Sequence, residues 1–151
     1  IGIGEAAARI AAMISRRFTI ITTLPVSIPV LEDNLVRYGL ASVGTVRASG
    51  IPVLGLEADP STALSTIGEG IRDALRVDRS GAIVLGCAGM ADLAAALSHK
   101  FGVPVIDGVA AAVKQAEALV GLKLTTSRRG AYASPGEKAY AGILAPFAPR
   151  P

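Results

Sequence analysis

The chain of 151 residues has one cysteine, one histidine and no tryptophan. A single cysteine cannot form an internal disulfide bond, and one cysteine with one histidine cannot supply the ligands of an ordinary zinc site. These shortages exclude a disulfide-stapled domain and argue against a metal centre. We therefore expect a reducing compartment, the cytoplasm, as the setting of this protein.

Charge blocks and long apolar runs are also missing. The 15 basic and 12 acidic residues give a net charge of +3, and they are spread along the chain without a block of about five or six like charges. The longest uncharged apolar run near the middle, residues 81–91, is shorter than the roughly 18–20 residues of a membrane span. We expect neither a nucleic-acid partner nor a membrane.

What is present is a core-rich composition in an alternating pattern. Hydrophobic residues make up 51% of the chain, and short β-branched runs alternate with longer runs of helical periodicity. This alternation is typical of parallel strands joined by helices, so we predict an α/β fold, a three-layer, doubly wound parallel sheet. The predicted strands cover residues 18–23, 42–48, 53–56, 82–86 and 103–106, with a further strand around residues 1–4, and the helices cover residues 5–15, 25–38, 60–75, 90–97 and 108–120.

Two helices carry more specific expectations. Asp59 and Pro60 have the pattern of an N-cap followed by proline at the first helical position. The last helix is expected to face the core with one apolar stripe, made of Val109, Val113, Ala116 and Val120.

The carboxyl ends of the predicted strands are the places to search for a site, because open parallel sheets bind ligands there. Thr22 and Thr23 follow the first strand, residues 86–89 follow the central strand, and Asp107 with Gly108 follows the last one.

Cys87 is the most informative of these residues. The predicted strand delivers it to the start of a helix, where free N–H groups and the helix dipole favour an anion. A thiolate there is a base or a nucleophile, and Gly86 and Gly89 let a substrate approach closely. The alternative is that Cys87 is a small buried hydrophobic residue.

Two other enzyme classes fit less well. A cysteine hydrolase with a nucleophile elbow needs glycine where Leu85 stands, and His99 is carried away from Cys87 by the intervening helix, so that we expect it to be a polar cap. Gly2 and Gly4 satisfy a loose dinucleotide-binding pattern, but no acidic residue follows at the expected distance. A non-catalytic nucleotide-binding domain therefore stays open as an alternative, and close helix packing is the plainer explanation of these glycines.

The sequence resembles the hydantoin racemase and allantoin racemase branch of the Asp/Glu racemase superfamily. The resemblance covers essentially the whole chain, and its most specific segment surrounds Cys87, where amino-acid racemases of the superfamily usually have threonine in place of Ala88. The matching segments are IGIGEAA at 1–7, FTIITT at 18–23, SIP at 27–29, YGL at 38–40, VLGCAGM at 84–90, PVIDGV at 104–109 and TSRRGAY at 126–132.

The resemblance implies a racemase that transfers a proton at C5 of 5-substituted hydantoins or of allantoin, without metal or other cofactor. Two cysteines would face opposite sides of the substrate carbon, with Cys87 as the second of them. Thr22, Thr23, Ala88 and Gly89 would bind the small-molecule substrate. An amino-acid (Asp/Glu) racemase or a maleate isomerase-like enzyme is the alternative within the superfamily.

The resemblance also implies the domain organisation. The full-length family has two pseudo-symmetric domains, and the first catalytic cysteine lies upstream of the segment that matches Ile1. We expect residues 1–123 to form the domain that carries Cys87, and residues 124–151 to be a C-terminal tail that packs on an N-terminal domain missing from this sequence. We also expect a homo-oligomer.

Overall fold

A parallel sheet lies at the centre of the chain. The computed structural model describes residues 1–134, 136 and 138–148. Its strands are β1 (Phe18–Thr22), β2 (Gly44–Ala48), β3 (Ala82–Leu85) and β4 (Val105–Asp107). Within the described residues they are ordered β2-β1-β3-β4, and every neighbouring pair is parallel. The predicted α/β fold with a parallel sheet is confirmed.

Helices cover both faces of this sheet. They are α1 (Ile3–Ile14), α2 (Ile28–Tyr38), α3 (Val53–Ala58), α4 (Pro60–Arg76), α5 (Ala94–Phe101) and α6 (Gly108–Gly121), with 3-10 helices at Pro25–Ser27, Ala88–Leu93, Gly130–Tyr132 and Gly142–Phe147. Buried residues of α1, α2 and α6 form one hydrophobic core, and those of α3, α4 and α5 form a second. The fold therefore has three layers, with the sheet between two layers of helices.

The two central strands supply both cores, because successive strand residues point to opposite faces. Ile20 and Val84 belong to the first core, whereas Ile21 and Ile83 belong to the second. All residues of β1 and β3 are buried. This double burial explains why seven of their nine residues are apolar.

Helix boundaries agree with the cap signals. Asp59 accepts a hydrogen bond from the backbone N–H of Thr62 at 3.1 Å and begins α4 as predicted. Hydrogen bonds from Thr62 and Ser61 lower the pKa of Asp59 to about 2. Gly39 ends α2 in the left-handed conformation, with φ of 73°.

Two predicted strands are wrong. Residues 53–56 lie in α3, where Val53 and Leu54 are exposed and only Leu56 of the apolar run is buried. A short apolar run cannot be assigned by periodicity alone, and here the run follows Pro52, which serves as the N-cap. The strand expected around residues 1–4 is also absent, because α1 begins at Ile3.

The apolar stripe predicted to bury α6 is also wrong. Val109, Val113, Ala116 and Val120 are exposed, and the buried residues of this helix are Gly108 and Ala111. An added Cβ at Gly108 would lie 2.8 Å from the backbone oxygen of Ile3. The contact with α1 is therefore so close that small residues, not β-branched ones, form the inward face.

Close packing does not explain the two N-terminal glycines. An added Cβ at Gly2 or Gly4 would meet no atom within 4 Å. Gly2 is the N-cap of α1 and Gly4 is in its first turn.

The chain divides into two compact units, residues 1–117 and residues from 118 onward. The predicted division into a domain of residues 1–123 and a tail of residues 124–151 stays a prediction. Residues 135, 137 and 149–151 of that tail lie outside the described residues. No described helix is long and apolar enough to cross a bilayer.

Hydrogen-bonded polar side chains link the loop after α4 to strands β1 and β2. Arg47 binds the carboxylate of Asp78 through two nitrogens, at 2.6 and 2.7 Å. The Thr19 hydroxyl donates to Asp78 at 3.0 Å, so the Ser80 hydroxyl, at 2.7 Å, donates to Thr19. Thr19 is fully buried and the side chain of Asp78 is 9% exposed.

The substitution Asp78→Asn is expected to lower the free energy of unfolding by about 2–3 kcal/mol, because it leaves the guanidinium of Arg47 without its charged partner. Urea unfolding at neutral pH measures this change. Asp73→Asn is the matched control, since Asp73 pairs with Arg76 on the exposed surface, and we expect a loss below about 1 kcal/mol there. Equal losses in the two variants would contradict the role given to Asp78.

Acid should remove the same stabilisation. Hydrogen bonds from Arg47 and Thr19 hold the pKa of Asp78 below its ordinary value. The contribution is therefore complete above the ordinary aspartate pKa of about 3.9 and is lost as the pH falls through the lower pKa of the folded state. Unfolding free energies of the wild type and of Asp78→Asn should converge below about pH 4. A gap that stays constant down to about pH 2 would count against this origin.

Candidate active site

Thr22, Thr23 and Cys87 meet at one open cavity, at the carboxyl ends of β1 and β3. The cavity has a volume of about 360 Å³, within the roughly 300–1,000 Å³ of small-molecule sites. Its lining residues are Thr22, Thr23, Val26, Ser27, Val30, Leu31, Gly86 and Cys87. The thiol of Cys87 is the one ionisable group among these described lining residues.

Backbone hydrogen bonds hold the two threonines in place after β1. The carbonyl oxygen of Thr22 accepts from the N–H of Ser49 at 2.8 Å, and that of Thr23 accepts from the N–H of Gly50 at 2.7 Å. Gly50 adopts φ of 79°, a conformation that favours glycine. The extension of β2 thus fixes the segment that forms one wall of the cavity.

Both threonines line the cavity, and their hydroxyl oxygens keep some exposure. Thr22 and Thr23 are only 2% and 7% exposed, and neither hydroxyl bonds to another described side chain or carbonyl. No fully buried side-chain oxygen among the described residues lacks a partner, so both hydroxyls reach open space. They are free to bind a polar ligand.

Cys87 is half-buried and is not sealed in the core. It packs against the core of α3, α4 and α5 and also lines the cavity. Its backbone is extended, with φ of −141° and ψ of 134°, and its carbonyl oxygen accepts from the N–H of Met90 at 3.0 Å. The alternative of a fully buried thiol is therefore wrong.

The helix expected directly after Cys87 differs from the prediction. A 3-10 helix, Ala88–Leu93, follows the cysteine, and α5 begins only at Ala94. A short 3-10 segment has a smaller dipole than a long α-helix, so it favours an anion at Cys87 less than the sequence suggested.

Ala88 and Gly89 are exposed and lie beside the thiol rather than in the cavity wall. An added Cβ at Gly89 would lie 3.8 Å from the Cys87 sulfur. As the first two residues of the 3-10 helix, both have N–H groups without a partner inside that helix. Two hydrogen-bond donors are therefore available next to the sulfur.

Asp107, at the end of the last strand, has a structural role. The two carboxylate oxygens of Asp107 accept from the N–H groups of Val109 and Ala110, at 2.8 and 2.9 Å. Asp107 is thus the cap of α6, with both oxygens engaged.

His99 is exposed in the last turn of α5. No group of metal-ligating side chains comes together in the part of the chain that the structure describes.

Three of the residues that line the cavity were not predicted from the sequence. Val26, Ser27 and Val30 line the cavity from the 3-10 helix and from the start of α2. Their signal was present, because they follow Thr23 within a few residues and precede a helix that covers the same sheet edge.

A family model described as Asp/Glu/hydantoin racemase matches residues 1–116. The chain belongs to this family. It is 51% identical over 143 residues to a hydantoin racemase from Rhizobium meliloti, covering 94% of this chain and 59% of that protein. It is 40% identical over 148 residues to a hydantoin racemase from Pseudomonas sp. strain NS671, covering 97% of this chain and 59% of that protein.

Solved structures of this racemase family agree with the fold. An allantoin racemase from Klebsiella pneumoniae superposes with a TM-score of 0.90 at 45% identity, covering 99% of this chain and 62% of that chain. An allantoin racemase from Pseudomonas fluorescens has a TM-score of 0.85 at 44% identity, covering 93% and 60%. The predicted resemblance to the hydantoin and allantoin racemases is confirmed. The chain spans about three fifths of the length of these relatives.

Gly86 sets how closely the two central strands approach at the site of this racemase-family chain. An added Cβ would lie 3.0 Å from Ile20, 3.2 Å from the carbonyl oxygen of Ile21 and 3.2 Å from the Cα of Thr22. We expect Gly86→Ala to lower the free energy of unfolding by about 1–3 kcal/mol, because backbone atoms must move apart. Urea unfolding measures this loss.

The matched control is Gly89→Ala, three residues further on. Its added Cβ would make only ordinary contacts, at 3.5 Å to Leu56 and 3.8 Å to Cys87. We expect a change below about 1 kcal/mol. If Gly86→Ala were as stable as the control, the strands would not need glycine at this point.

Proposed function

We propose that this chain supplies one of the two acid/base groups of a cofactor-independent racemase acting at C5 of hydantoins, either 5-substituted hydantoins or allantoin. The observation that carries the proposal is the position of Cys87, the one ionisable residue among the described lining residues of an open cavity that Thr22 and Thr23 also line. The names of the relatives, hydantoin racemase and allantoin racemase, support this substrate class.

The reaction needs a base beside C5. The thiolate of Cys87 takes the proton from C5, and the electron pair of the broken C–H bond moves into the ring as an enolate on the adjacent carbonyl oxygen. Cys87 becomes a thiol, and a second acid on the other side gives its own proton to the opposite face of the carbon, which inverts the stereocentre. The sulfur must lie within about 3–3.5 Å of C5 for this transfer.

Hydrogen-bond donors next to the thiol lower the barrier. In this proposal the N–H groups of Ala88 and Gly89, which have no partner inside the 3-10 helix, stabilise the negative oxygen. A donor that faces the developing charge acts most strongly in the transition state. The hydroxyls of Thr22 and Thr23 bind the polar ring edge, where carbonyl and N–H groups alternate.

The acid on the opposite face comes from outside the 151 residues in this proposal. Cys87 is the single cysteine of the sequence, and by the family resemblance the opposing group is a second cysteine. The chain by itself should therefore exchange the C5 proton on one face but should not racemise the substrate by a two-base route. A homo-oligomer in the reducing cytoplasm belongs to the same proposal.

Deuterium incorporation at C5 of a racemic 5-alkylhydantoin tests the role of Cys87, because a single base exchanges the proton of one enantiomer. In deuterated buffer the chain is expected to accelerate exchange above the rate without protein, and Cys87→Ser is expected to lower the accelerated rate by about 100-fold or more, because a general base contributes about 10²–10⁴-fold. Proton NMR of the C5 position measures the rate.

His99→Gln is the control variant. His99 is the single histidine of the sequence, and it lies exposed in the last turn of α5, outside the lining of the cavity. Its substitution should leave the exchange rate unchanged. Exchange that survives in Cys87→Ser, or that depends on His99, would exclude the mechanism.

A further inference from the structure

A second cavity adjoins the one that Cys87 lines. Its free volume is about 60 Å³, and it lies between the first turn of α1, the inner face of α2 and the sheet. Ile20 and Val84 form its floor, Ile3 and Gly4 form one end, and Leu31 is on its α2 side. Apolar atoms make up most of its surface. Asn34 and Tyr38 are the polar residues in its lining.

The two cavities adjoin along α2. Leu31 and Gly86 line both of them. Ser27, at the end of the 3-10 helix, and Val30, in the first turn of α2, line the cavity of Cys87. Asn34, about one turn after Val30, lines the second cavity. The lining therefore becomes less polar from Thr22 and Thr23 in the first cavity to Ile20 and Val84 in the second.

We propose that the second cavity is the subsite for the substituent on C5 and that it selects hydantoins with short aliphatic substituents over allantoin. The inference rests on the proposed function. A carbon that gives its proton to the Cys87 sulfur carries its substituent one bond away, so the substituent must enter a space next to the thiol. With the polar ring edge on the hydroxyls of Thr22 and Thr23, the apolar space past Gly86 receives that substituent.

The size of the subsite limits the substituent. One water molecule needs about 10–15 Å³ measured in the same way, so about 60 Å³ has room for roughly four to six water-sized groups, enough for the four carbon atoms of an isobutyl group. Its polarity limits the chemistry. The ureido group of allantoin exchanges its hydrogen bonds to water for a space in which Asn34 and Tyr38 are the polar lining residues. Each of its polar groups that these two side chains leave unpaired is costly to bury.

Isobutyl and ureido groups make a matched pair for the test, because they have the same number of non-hydrogen atoms in the same branched order. Dissociation constants of hydantoin, 5-methylhydantoin, 5-isobutylhydantoin, 5-benzylhydantoin and allantoin are measured with the full chain by NMR titration. Affinity should rise about fourfold per added methylene while the group fits, up to isobutyl. Benzyl should gain nothing further, and allantoin should bind about tenfold more weakly than its isobutyl counterpart.

Variants of the floor test the location. Ile20→Val enlarges the subsite by one methyl group and should improve binding of the benzyl compound relative to hydantoin by severalfold, whereas Val84→Ile should weaken isobutyl binding by severalfold. Ile21→Val is the matched control for the first variant. It removes the same group from the next residue of β1, which faces the other core, and it should leave the order of affinities unchanged.

The outcomes separate this inference from the proposed function. Unsubstituted hydantoin reports ring binding and Cys87-dependent exchange without occupying the subsite. Normal exchange of hydantoin with affinities that do not depend on the substituent, or with allantoin bound as tightly as the isobutyl compound, would overturn the subsite alone. Absence of Cys87-dependent exchange with the predicted order of affinities would overturn the proposed chemistry and leave the subsite standing.

Discussion

The close approach of β1 and β3 at Gly86 is the constraint on which the site depends. A side chain at this position would run into Ile20 and into the backbone of β1, so the strands can pair up to their last residues only with glycine there. The N–H of Gly86 completes the pairing with the carbonyl oxygen of Ile21 at 2.8 Å. Thr22 and Cys87 then leave the sheet side by side and open onto the same cavity.

The described lining of that cavity contains a single ionisable group, the thiol of Cys87. Strong ionic interactions lie elsewhere, such as the Arg47–Asp78 pair beneath the sheet and the Asp59 cap of α4. The described residues around the thiol offer hydroxyls, N–H groups and apolar side chains. Such a site suits proton transfer from an already acidic carbon, because a ring carbonyl absorbs the charge and the protein needs to supply only a base and a few donors.

Much of this arrangement was predictable from local pattern. The β-branched runs of β1 and β3 are buried on both faces and predicted a parallel sheet, and the rule that ligands bind at carboxyl ends of strands predicted Thr22, Thr23 and Cys87 as neighbours. Cap residues such as Asp59 were readable because each satisfies backbone N–H groups within a few residues. These features depend on neighbours close in sequence or on one rule of topology.

Other features depend on tertiary packing and could not be predicted. The run at 53–56 is too short for its period to separate strand from helix. The inward face of α6 is decided by the backbone of Ile3 against Gly108, a contact between distant parts of the chain. The second cavity arises where α1, α2 and the sheet meet, so its lining residues share no sequence pattern.

A crystal structure of the chain with 5-isobutylhydantoin bound tests the central claim most directly, through the distance from the Cys87 sulfur to C5 of the ligand. The account predicts about 3–3.5 Å, with the ring edge on Thr22 and Thr23 and the isobutyl group above Ile20 and Val84. A ligand bound elsewhere on the surface, or bound in the cavity with C5 turned away from the sulfur, would contradict it.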